Sequence, residues 1–164
     1  MTDHDGVLEC VDFTDELNGL ISGFNRAMDL RFTCASSERV EAELPIGEQH
    51  RQAYGLVHGG VYAALVETVC STGAALYALE RGQSSVGLDN NTSFLRAVRE
   101  GTLTAVATPL TRGRRTHVWE CRITDDHGRL AAAGRLRLLI LAADEQTAGA
   151  SLQIRPAPGD GDDA

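Results

Sequence analysis

Hydrophobic residues recur at helical spacing at Phe13, Leu17, Leu20, Ile21, Phe24 and Met28, which predicts an amphipathic first helix over residues 13–29 behind a capping signal at Thr14. The next two apolar stretches, "LRFTCAS" and "RVEAELPI", have strand period, with Val40, Ala42 and Leu44 alternating against polar neighbours. A Ser-Ser-Glu turn between them predicts a hairpin. From about Gly60 to Leu79 the chain is apolar nearly all round, the signature of a buried helix, and Gly82 marks its end. Four strands are then predicted at roughly 84–97, 101–110, 115–124 and 129–141, separated by the glycine-bearing turns "REG", "TRGR" and "DDHG". Their order predicts an antiparallel meander.

Alternation in the later strands decides what the sheet must do. Leu103, Ala105 and Ala107 share one face of their strand, and Trp119, Cys121 and Ile123 share one face of the next. That face needs a cover. The central helix carries Gly60, Ala63, Ala64, Gly73, Ala74, Ala75 and Ala78, small side chains that let a curved sheet approach closely. The expected fold is α+β, an antiparallel sheet wrapped around one long central helix. A single domain over residues 35–141 accounts for it, with residues 1–34 contributing the first helix and first-strand segment. Residues 142–164 hold few large apolar groups and five acids against one Arg, and are expected to form a disordered acidic tail.

Charge narrows the partners. The net charge is −8, about half of it in that tail, so the broad basic surface that nucleic acid or anionic membrane demands is not expected. The four cysteines, Cys10, Cys34, Cys70 and Cys121, lack zinc or C-x-x-C spacing and read as reduced thiols, with no metal site implied. The start "MTDHDGVLEC" lacks a basic, then apolar, export signal, so a cytoplasmic protein is expected. Residues 56–79 are long enough to span a bilayer, but His58 and Glu67 are costly there, and a core helix is the expectation.

Glu67 is the anomaly in that helix, because an ionised carboxylate in a dry place costs several kcal/mol unless it is hydrogen-bonded or used. An ordinary helical glutamate points to solvent or pairs with an Arg. Here, eight residues upstream, "HGG" opens the helix, where unpaired N–H groups and the positive dipole end favour negative charge. Gly59, having no side chain, lets a carbonyl approach its amide, which is the logic of an oxyanion site, although paired glycines also make simple tight turns. Gln52 in the preceding loop can donate to the same carbonyl, Ser71 lies one turn beyond Glu67, and His58 is assigned an orienting role. Gly59 and Glu67 are ~12 Å apart along the helix axis, too far for one carbonyl to meet both. A site shared between two chains resolves this and predicts a two-fold homodimer.

The string Q-x-x-G-x-x-H-G-G with Glu eight positions after its first helix glycine resembles the hotdog-fold acyl-CoA thioesterases. The likeness runs over about residues 35–141. The segments "VGLDNNTSFLRAVREG", "TRGRRTHVWECRI" and "DDHGRLAAAGRLRL" most resemble the phenylacetate-type branch acting on aromatic acyl-CoAs, which includes 4-hydroxybenzoyl-CoA and 1,4-dihydroxy-2-naphthoyl-CoA thioesterases. The resemblance implies dimers whose sheets join, pairing again as homotetramers, with the thioester at the subunit interface. It also implies that Glu67 attacks the carbonyl or activates water, that Gly59 and Gln52 hold the carbonyl, that Ser71 assists acyl or water placement, and that His58 supports the loop. No cofactor is implied beyond the coenzyme A of the substrate, whose phosphates point to Arg96, Arg112, Arg114 and Arg115. Alternatives within the fold are a medium- or long-chain fatty acyl-CoA thioesterase, a noncatalytic acyl-CoA-binding module, and a hydratase, whose Asp/His pair this helix does not clearly supply.

Overall fold

The computed structural model of the chain describes residues 11–151. Two short helices, α1 (Thr14–Gly19) and α2 (Gly23–Ala27), precede a hairpin of β1 (Arg31–Ala35) and β2 (Val40–Pro45). A short 3-10 turn at Glu48–His50 leads to the long helix α3 (Gly59–Leu79). Four long strands follow: β3 (Ser84–Phe94), β4 (Thr102–Arg112), β5 (Thr116–Thr124) and β6 (Leu130–Leu141). The six strands form one antiparallel sheet in the order β1-β2-β4-β5-β6-β3.

Two expectations change. The single first helix is broken, because Ser22 is extended and Gly23 takes a positive φ of 51°, which turns the chain between α1 and α2. The capping group is the Asp12 carboxylate, which accepts from the Thr14 N–H at 3.0 Å, and Thr14 itself is already helical. The meander holds only for β4-β5-β6. β3 crosses over to pair with β6, and β2 takes the place beside β4, with Val40, Ala42 and Leu44 opposite Ala107, Ala105 and Leu103. All six of those side chains are fully buried, so this register puts both apolar faces onto one core.

That core is α3 against the concave face of the sheet. Leu65, Val66, Val69 and Ala74 meet Trp119, Cys121, Ile123, Leu136 and Leu138. On length and hydropathy alone α3 could cross a membrane, but its apolarity is accounted for by the sheet curved round it. Beyond β6 the expected acidic tail begins with a two-residue hairpin, β7 (Gln146–Thr147) and β8 (Ala150–Ser151); the rest of the tail, and Cys10, lie outside the described residues.

Helix and sheet approach closely at Gly73, where a Cβ would overlap the six-membered ring of the fully buried Trp119. Gly→Ala within a helix ordinarily stabilises by about 1 kcal/mol. At residue 73 the sign should reverse: Gly73→Ala is expected to cost about 2–3 kcal/mol, read as a lower urea midpoint, since neither the helix backbone nor the enclosed indole can move aside. An unchanged or raised midpoint would contradict this packing.

Candidate active site

The loop before α3 is held by a buried histidine that sequence reading passed over. His50 Nδ1 accepts from the Gly47 N–H at 2.9 Å, which leaves Nε2 to donate to the Met28 carbonyl at 3.0 Å. The His50 carbonyl in turn accepts from the His58 N–H at 2.8 Å, and Val57 N–H donates to the Val98 carbonyl at 2.9 Å. These bonds fix the entry of the helix. His58 is its N-cap: its Nδ1 accepts from the Gly60 N–H at 2.9 Å, so that nitrogen is committed to the cap.

Gly59 is the first residue of α3, and among the described residues its N–H finds no acceptor. The Phe94 ring lies over it, so close that a Cβ at residue 59 would stand 2.7 Å from the ring. A donor at a helix N-terminus is therefore left open, with space around it that only glycine preserves. Gln52, Gly59, Tyr62, Phe94 and Arg96 help to line a cavity of about 310 Å³ there. The Gln52 side-chain oxygen accepts from the Tyr54 N–H, which leaves its NH₂ as the group that can donate.

Two turns along α3, Glu67 is half-buried and carries no ion pair among the described residues. Its carboxylate is held by neutral donors instead: Ser71 Oγ to Oε1 at 3.2 Å and Asn90 Nδ2 to Oε2 at 3.1 Å. It rests on Gly87 of β3, where a Cβ would stand 2.6 Å from Oε1. The ordinary reading, a solvated glutamate paired with an Arg, does not describe this one. Ser71, expected nearby, is in contact; Asn90 and Gly87 were not anticipated. Cys70 and Cys121 offer no rival nucleophile, since burial pushes the Cys121 thiol up to about 12 and the Cys70 thiol higher still.

One chain does not bring the two halves together. Gly59, Gln52 and Arg96 line the first cavity, whereas Ser71 lines a separate groove of about 340 Å³ beside Leu17, Ile21 and Phe32. The arginines divide in the same way. The turn holding Arg112, Arg114 and Arg115 packs against the C-terminal half of α3, where Arg112 stacks 4.6 Å over Tyr77, ~27 Å along the axis from Gly59.

Arg112 does not fit the phosphate role expected of it. Its guanidinium is bidentate to Glu38, at 2.7 Å on both oxygens, and also donates to the Ser37 carbonyl at 2.8 Å, so both terminal nitrogens are engaged within the fold, while the buried Nε finds no partner among the described residues. Arg115 reaches Glu145 at 3.3 Å on the surface, and Arg114 and Arg96 are exposed.

The same region holds a pH-sensitive group. His117 is buried with its ring edge against Tyr77, and burial first, then the Arg112 and Arg81 charges, lower its pKa. The folded state therefore favours the neutral ring. Its contribution is complete above the unfolded value near 6.5 and is lost as pH falls below it, because the unfolded chain binds the proton first. The urea midpoint should drop between about pH 7.5 and about 5.5, and less steeply in His117→Phe; equal slopes would refute this.

The thioesterase superfamily model matches residues 54–132. The chain is 37% identical over 114 residues to 1,4-dihydroxy-2-naphthoyl-CoA hydrolase of Escherichia coli, covering 70% of this chain and 83% of that protein. The solved thioesterase HI1161 of Haemophilus influenzae is 35% identical, with a TM-score of 0.76 over 80% of this chain and 92% of that one. The structure of Rv1847 from Mycobacterium tuberculosis is 38% identical, with a TM-score of 0.72 over 74% of this chain and 98% of that one. Likeness of this extent, in sequence and in fold, places the chain in the thioesterase superfamily as a hotdog-fold thioester hydrolase.

Proposed function

We propose that the chain hydrolyses an aromatic acyl-CoA thioester to the free acid and coenzyme A, at a site shared across a two-fold dimer. The observation that carries this is Glu67: a carboxylate without a counter-ion among the described residues, held by two neutral donors beside an open sheet edge. That edge is β3, eleven residues long, with Leu88 50% and Phe94 58% exposed, an edge of the kind that invites pairing with another strand. Antiparallel pairing of two β3 strands about a two-fold would set the α3 helices antiparallel. Glu67 of one chain would then face the Gly59 end of the other, and the Arg114–Arg115 turn would swing toward that cavity as well. Arg96, lining the cavity and exposed, is the first candidate for a phosphate contact. Further pairing of dimers into a tetramer belongs to the same reading.

In this arrangement a Glu67 oxygen attacks the thioester carbon, the carbonyl electrons move onto oxygen, and Gly59 N–H with the Gln52 amide holds the charge. Collapse of that adduct breaks the C–S bond and releases coenzyme A thiolate, which takes a proton from water. Water then cleaves the acyl anhydride and restores the Glu67 carboxylate. The scheme calls on no metal or further cofactor, and it suits a protein of the cytoplasm, where acyl-CoA is found. Phe94 and Tyr62, with ring centroids 5.9 Å apart at the Gly59 cavity, favour a flat ring over a long alkyl chain.

The test is thiol release from a panel: 4-hydroxybenzoyl-, phenylacetyl-, a dihydroxynaphthoyl analogue, hexanoyl- and palmitoyl-CoA. The aryl thioesters are expected to show the highest kcat/KM. A higher value for hexanoyl or palmitoyl would overturn the substrate class, and no cleavage of any thioester would overturn the proposed activity.

A further inference from the structure

We infer that Asn90 is a positioning residue for Glu67, an assignment that rests on the catalytic reading above. Its amide makes two donations at once, to the Ala63 carbonyl at 3.0 Å and to Glu67 Oε2 at 3.1 Å. Both partners can only accept, so both amide hydrogens are spent and Oδ1 must turn the other way. There it accepts from Thr92 Oγ at 2.6 Å, which fixes the flip of the amide. The carboxylate is thereby tied through Asn90 to the backbone of its own helix one turn back.

A bulge in β3 makes this possible. Gly87 lies opposite Leu138 and Asn90 opposite Leu136, so three residues of β3 span two of β6, and Leu88 is the extra one. Because Leu136 and Leu138 face the core, the bulge keeps both Gly87 and Asn90 on the face turned to α3. Without it, Asn90 would point outward and Asp89, a carboxylate, would turn toward Glu67.

Glu67 faces Asn90 and Gly87 across the sheet and Ser71 and Cys70 on its own helix. The Cys70 thiol stays protonated because it is buried. Asn90 and Ser71 are therefore the two donors that hold the Glu67 carboxylate in its orientation.

The experiment compares kcat, KM and pH–rate profiles of wild type, Asn90→Leu, the near-isosteric Asn90→Asp and Glu67→Ala, on the best thioester of the panel and with thermal midpoints for each. Asn90→Leu is expected to lower kcat by about 10- to 100-fold with KM nearly unchanged, and to move the acid limb of the profile to higher pH. Asn90→Asp, which sets a second carboxylate against the first, should move that limb further. Wild-type kcat and acid limb in both variants would overturn the assignment, as would a loss confined to KM or one that follows the thermal midpoint with the acid limb fixed. Activity surviving in Glu67→Ala would instead overturn the catalytic reading, and this assignment with it.

Discussion

Glu67→Ala should lose at least about 10³ in kcat, roughly 4 kcal/mol of transition-state stabilisation, while remaining folded. The folding half of the expectation follows from the contacts. Among the described residues Glu67 makes two hydrogen bonds to neutral donors and no ion pair, and both donors can turn to water once the carboxylate is gone: Asn90 is exposed and Ser71 half-buried. The chemical half follows from what remains. Gly59 and Gln52 could still polarise a thioester carbonyl, but the carboxylate that attacks it or activates water is gone, and the buried Cys70 thiol is held protonated. Thiol release by the purified variant, at matched oligomeric state, measures the loss. A rate within tenfold of wild type would remove Glu67 from the mechanism.

The second large effect is a gain. If Gly59 of one chain serves Glu67 of the other, Glu67→Ala and Gly59→Val are each inactive alone, yet a dimer containing one of each has one site with both groups intact. Mixing equal amounts through unfolding and refolding gives half mixed dimers, each with one working site of two, so about one quarter of wild-type activity should return. Two inactive samples would become an active one, a rise on the order of 10² or more. Valine at residue 59 also meets the Phe94 ring, but that ring is exposed and can swing aside, so the variant should still fold. No recovery from folded mixed dimers would mean that each chain completes its own site, against the ~12 Å axial separation of Gly59 and Glu67.

Much of the architecture was legible because its patterns are local. The α3 boundaries differ by one residue from those expected, and Val40, Ala42, Leu44, Leu103, Ala105 and Ala107 face the core as their alternation required. The break at Ser22 and Gly23 escaped because the apolar spacing of Leu17, Leu20, Ile21 and Phe24 fits one continuous helix; the structure leaves Phe24 68% exposed once the chain turns. Arg112 shows the same difficulty. A cluster of arginines at a turn has the composition of an anion site, and only its partner Glu38, 74 positions away in the chain, reveals that the charge is already neutralised.

What the sequence by itself determined is the set of groups and their spacing along one helix: a glycine at the N-terminus, a carboxylate two turns later, and the apolar periodicity that makes the helix and the strands around it. Those depend on neighbours within a few residues, where the 3.6 and 2.0 periods are dictated by backbone geometry. Tertiary structure decided which strand closes the sheet, where β3 bulges, and hence that Asn90 turns toward Glu67 rather than away from it. Alternation cannot show this, because one unpaired residue reverses the face of every residue after it, and the pairing partner that sets the register, β6, lies about 50 positions further along the chain.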